Sequence, residues 1–281
     1  MPIQVSSEAT GLAVQIIPCL ADSMARSVSL DLPGPSLVHL TSEPNFPLWD
    51  PDEAVEAHER FYFRALEKPK IRVMRTKADL APDGKIRILL GMRYVPDRMT
   101  LWHMKKLRNR GLRVLSLAYD YRTPYGDGCR GVGELTDKGE DLLRWMAECG
   151  IMLDLSHTGY VTANNALSFI LQNNLPIAAM ASHSGCFTES RSCQDLTDVL
   201  LRILAHMEGY VGIPYTHPKE FLAHTRRAFR TMLGRGKIGI CSNRSESDHF
   251  QIVEALAGMN LDPRIFGQSF ENHLEDALPE K

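Results

Sequence analysis

The chain has 281 residues, 44% of them apolar, and its 32 lysines and arginines nearly balance 34 aspartates and glutamates, for a formal net charge of −2. That length and core content suit one large α/β domain or two small ones. The charge balance excludes a general electrostatic grip on nucleic acid or anionic membrane. No apolar run approaches the roughly 20 residues of a spanning helix. The first ten residues lack the basic stretch of a secretory signal, and the six cysteines form no CxxC pair. A cytoplasmic protein with reduced, mostly core cysteines is expected.

In chain order, the first 52 residues are irregular. A run at 13–19 reads as a strand, and 31–50 is rich in proline and broken by polar residues. From there the chain repeats an apolar run, a turn and an amphipathic helix. Strands are expected at 86–91, 112–119, 151–156, 177–182, 210–214 and 237–242. Helices are expected at 98–110, 137–149, 163–173, 196–207, 220–233, 248–257 and 263–277. The strands are continuous apolar runs, as in parallel strands covered on both faces. No glycine-rich phosphate loop follows any of them, which disfavours a dinucleotide-binding sheet. The expected architecture is therefore a single-domain (β/α)8 barrel of the TIM type over 1–281, with seven clear strands. The eighth comes from residues 2–5 or 37–40, leaving an incomplete or irregular N-terminal strand.

Barrel chemistry gathers where strands end at the C-terminal face. Two strand ends match: 151–157 reads IMLDLSH and 177–183 reads IAAMASH. They lie one βα unit apart, and neighbouring strands are about 4.8 Å apart, so His157 and His183 can reach one metal ion. Two polar residues satisfied at strand ends is the plainer reading. Asp154, inside its strand, reads as a structural carboxylate. The remaining histidines read as packed or solvated residues.

These segments resemble the membrane (renal) dipeptidase family of zinc metallopeptidases. There a "GLT-x-x-G" segment leads to an "IDLSH" strand, here 133–157. A "PVI-x-SHS" strand corresponds to 176–184, and a "GMRYLTLTH" strand with a following "NTPW" to 111–125. The resemblance is strongest over 112–201 and weak before residue 53, so 53–281 is the best-matching part. It implies a barrel with two zinc ions sharing a bridging glutamate, and a metal-bound hydroxide that attacks a dipeptide carbonyl.

Carried over residue by residue, the resemblance gives His157 and His183 as the ligands of the second ion. In the "LIG-x-E" strand, 89–93 reads LLGMR, and Met92 is taken as the residue in the glutamate's place. The opening His-x-Asp strand has no counterpart. Tyr119 stands for the substrate histidine, Gln194 for the substrate arginine with Arg191 as its substitute, and Asn243 for the acid/base aspartate. The expected protein is a barrel with a degenerate binuclear site that is not an ordinary dipeptidase and binds a small peptide-like molecule or a partner. The alternative is a metal-dependent hydrolase with a remodelled mononuclear site, its third ligand being Cys241, Asp120 or His217. One zinc ion or none is expected, with no nucleic-acid or membrane partner. Without the opening strand, an exposed sheet edge implies a homo-oligomer or hetero-complex.

Overall fold

The computed structural model describes residues 13–15, 37–42, 50–81, 83–93, 95–215, 217–233, 235–241 and 263–280. Among these residues nine parallel strands form one sheet: β1 (Ala13–Gln15), β2 (Leu37–Ser42), β3 (Ile71–Val73), β4 (Ile86–Met92), β5 (Leu112–Ser116), β6 (Met152–Asp154), β7 (Ala179–Ala181), β8 (Tyr210–Pro214) and β9 (Lys237–Cys241). Eight run in the order β1-β2-β4-β5-β6-β7-β8-β9, while β3 pairs alongside β4. β1 also lies against β9, although among the described residues the two share no ladder. The chain is thus wound as a (β/α) barrel, and 37–42 supplies the strand left open between two segments. The other segment, 2–5, and the helix expected at 248–257 lie outside the described residues.

Among the described residues there are eight α-helices: α1 (Pro51–Leu66), α2 (Leu101–Asn109), α3 (Asp137–Cys149), α4 (Tyr160–Gln172), α5 (Phe187–Ser190), α6 (Asp198–His206), α7 (Pro218–Met232) and α8 (Pro263–Ala277). Their ends obey local rules. Thr136 caps α3 by accepting from the Gly139 amide at 3.1 Å, and Gly150 stops it at φ 62°, where a Cβ is penalised. α1 was not foreseen, although Asp50 and Pro51 give it a regular start, with Asp50 accepting from the Asp52 amide.

Two apolar layers result. The outer one packs the strands against the helices. Its row Met92–Leu115–Leu153–Ala179 follows the strand registers, and all four side chains are at most 1% exposed. The inner one fills the barrel with Leu89, Val114, Met152, Met180 and Tyr210, and Phe270, Leu274 and Leu278 join it from the C-terminal segment. α8 closes the end of the barrel where strands begin. Glu271 meets Arg87 at the start of β4 at 2.7 Å, and Asp276 pairs with Lys237 at the start of β9. The opposite mouth, where the strands end, is left for the site.

Candidate functional site

Four consecutive strand ends build the mouth: Arg93 after β4, Tyr119 and Asp120 after β5, His157 after β6 and His183 after β7. The strand-end pair is brought together as expected, with ring centroids 5.0 Å apart. Below them the Asp154 carboxylate, 1% exposed, gathers four donors. These are the Ser156 amide (3.0 Å), the Ser156 hydroxyl (2.8 Å), the Ser182 amide (2.9 Å) and the Ser182 hydroxyl. The His183 amide in turn donates to Ser156 Oγ at 3.0 Å. The serine before each histidine therefore ties two strand ends to one carboxylate and fixes the height of both rings.

His157 sits at φ 62°, a left-handed conformation that costs a non-glycine residue roughly 1–2 kcal/mol. Its carbonyl accepts from the Cys129 amide at 2.7 Å, which helps hold the backbone there. Its Nδ1 faces Asp120 Oδ1 at 2.9 Å. Burial holds the His157 imidazole below its usual pKa despite that bond. Burial also opposes ionisation of Asp120, but the His157 contact and its neighbours win and hold the carboxyl below the usual range. Both directions describe a neutral ring donating Nδ1–H to a charged carboxylate.

The position opposite the histidines corrects the strand reading. Met92 points into the layer under the helices, so it cannot stand at the mouth. Side chains alternate along a strand, and the next residue, Arg93, turns inward. In the L-I-G-x-E pattern the glutamate is the fifth residue, and the fifth residue of 89–93 is Arg93, one past Met92. Arg93, 3% exposed, places Nη2 at 3.4 Å from His183 Nε2 and Nη1 at 3.2 Å from the Tyr119 hydroxyl. Its guanidinium lies 4.8 Å over the Tyr119 ring, and that ring stacks on His157 at 3.9 Å and 17°. Arginine has no lone pair to accept with, so His183 Nε2 accepts from it. His183 Nδ1, 2.9 Å from Ser182 Oγ, then donates to the hydroxyl that itself donates to Asp154.

One cluster of three metal-ligating side chains lies within 4.8 Å among the described residues: Asp120, Cys129 and His157. Cys129 and Cys193 carry no signal of spacing, being 64 residues apart on two loops, yet their sulfurs are 3.5 Å apart. Burial, followed by the Cys193 contact, pushes the Cys129 thiol up to about 12. Neither His183 nor Cys241 belongs to the cluster of three. Cys241 is buried at the end of β9, where its carbonyl accepts from the Tyr215 amide. His217 caps α7, its Nδ1 accepting from the Lys219 amide at 3.4 Å. Arg191 ends α5 at φ 59°, exposed, with its guanidinium 5.7 Å over the Phe187 ring, and Gln194 is exposed on the same loop. Asn243 lies outside the described residues.

The profile of the membrane dipeptidase family (peptidase family M19) matches residues 53–259. The chain belongs to the membrane dipeptidase family. Solved structures repeat its fold at low identity. A dipeptidase described as AC, a metallo peptidase, is 16% identical with a TM-score of 0.76 over 96% of this chain and 99% of that one. The probable dipeptidase PvdM from Pseudomonas aeruginosa is 14% identical, with a TM-score of 0.75 over 95% of both chains. A Rhodobacter sphaeroides metallo peptidase, solved with a phosphinate mimic of the dipeptide L-Ala-D-Ala, is 16% identical, with a TM-score of 0.71 over 86% of both. Among the described residues of this membrane dipeptidase relative, no helix is long and apolar enough to cross a membrane.

Proposed function

We propose that this membrane dipeptidase homologue binds a small, carboxylate-bearing, peptide-like molecule at the barrel mouth and does not hydrolyse it by two-metal chemistry. The position of Arg93 carries the reading. The family's pair of ions needs a bridging anion, and here a guanidinium stands beside His183 and Tyr119. A guanidinium about 4 Å from a dication is repelled by roughly 8 kcal/mol at an effective dielectric of 20. The residues do not fit a carboxylate-bridged pair of metal ions. The same fork is suited to a carboxylate, which it can hold in bidentate fashion. The two histidines and the Tyr119 ring beside it supply a half-apolar wall.

Calorimetric titration of the full chain with alanyl-alanine dipeptides tests the reading. Binding is expected, and Arg93→Gln should weaken it by roughly 30-fold, about 2 kcal/mol for a charge-assisted bond. Binding unchanged in Arg93→Gln would remove the argument. The cluster Asp120–Cys129–His157 favours a second reading, a hydrolase with one metal ion. That reading predicts turnover that stops when zinc is chelated.

A further inference from the structure

We propose that Asp120, Cys129, His157 and Cys193 form a closed, four-ligand site for one zinc-like divalent cation, which clamps the loop after β5 to the loop after β7. The proposal goes beyond ligand binding at Arg93 and does not depend on it. It uses the Nδ1 edge of His157, the edge that faces Asp120.

The distances carry it. Zinc bonds sulfur at about 2.3 Å and nitrogen or oxygen at about 2.0–2.1 Å, and a tetrahedral edge is roughly 1.6 times the bond. The expected edges are roughly 3.8 Å between two sulfurs, 3.5 Å between sulfur and oxygen, and 3.3 Å between nitrogen and oxygen. The corresponding separations are 3.5 Å for Cys129–Cys193, 3.5 Å for Cys129–Asp120 and 2.9 Å for His157–Asp120. Three edges are thus already near their bonded lengths, with all members of the first three within 4.8 Å of one another. Cys193, exposed on its loop, stands outside that group of three but already touches it through the Cys129 sulfur, and it supplies the fourth corner.

The donor chemistry selects the ion. Two thiolates, an imidazole and one carboxylate suit zinc and disfavour magnesium and calcium, which take oxygen. Supporting contacts are in place: the Cys129 amide bonds the His157 carbonyl at 2.7 Å, and Arg130 lies 3.5 Å from the second Asp120 oxygen. Four protein ligands leave no open position for water, so the ion is structural and not catalytic.

Titration of the reduced full chain, purified without chelator, with cobalt(II) and with zinc(II) tests this. One equivalent should bind, with a thiolate-to-cobalt charge-transfer band in the near ultraviolet. Cys193→Ser, at an exposed position that leaves the core intact, should weaken binding more than ~100-fold, beyond the range seen for supporting residues. Cys129→Ser should cut the charge-transfer band to half or less, and His183→Ala should keep it. Binding that survives Cys193→Ser undiminished, or that is lost in His183→Ala instead, overturns the proposal. So does a native chain in which the two sulfurs are joined as a disulfide and no metal binds. Each of these failures leaves dipeptide binding at Arg93 standing.

Discussion

At the scale of the residue, a single side chain decides what the mouth can do. Arg93 occupies the strand end where the resemblance calls for a bridging carboxylate, and it engages His183 and Tyr119 with two different nitrogens. The histidines were legible in the sequence because the same strand ending occurs twice. Arg93 was legible too, but only by a correct count along the motif, since the neighbouring Met92 belongs to the buried outer row. Cys129 and Cys193 were not legible, because loops far apart in sequence bring them together. Asp154 was read as a structural carboxylate, and four donors converge on it. Asp154→Ala leaves those buried donors without an acceptor, at about 1–3 kcal/mol for each that finds no substitute. A loss of roughly 3–5 kcal/mol in urea unfolding is expected for Asp154→Ala. A loss under about 1 kcal/mol would mean that the carboxylate is not the anchor.

At the scale of the element, two helices carry buried imidazoles that couple packing to pH. His58 on α1 bonds the Arg110 carbonyl at the end of α2 at 2.9 Å, and burial depresses its pKa to about 4. His273 on α8 is buried beside Tyr210, and burial, followed by the charge of Lys237, depresses its pKa to about 3. Both pKa values are lower folded than the ordinary 6.5 of the unfolded chain. The unfolded state therefore takes up protons first on acidification. Stability is full above about pH 6.5 and falls as pH drops towards 4, by about 1.4 kcal/mol per pH unit for each fully responding histidine. Denaturant midpoints measured from pH 7.5 to 5 should decline, and His58→Gln should flatten the decline. A profile that rises towards pH 5 would contradict the burial of these rings. The two helices also differ in legibility. The periodicity of 263–277 gave α8 in full, whereas α1 was passed over because its cap, Asp50, follows a proline-rich stretch that reads as irregular.

At the scale of the whole molecule, the barrel was legible because parallel strands buried on both faces leave continuous apolar runs. Six of the nine strands fall inside or nearly on such runs from residue 86 onward. What pattern could not supply was the closure. β3 is three residues long with Arg72 in its middle, and β2 lies in a segment whose prolines mask it. That α8 would plug the end where strands begin is a matter of tertiary packing, which periodicity does not encode. The resulting molecule keeps the frame of a metallopeptidase and places a fixed cation at its mouth. The most direct measurement is hydrolysis of alanyl-alanine by the full chain supplied with excess zinc. No turnover above the uncatalysed background is expected. A kcat of about 1 s⁻¹ or more, within the ordinary enzyme range, would show that the mouth assembles a working metal centre despite Arg93.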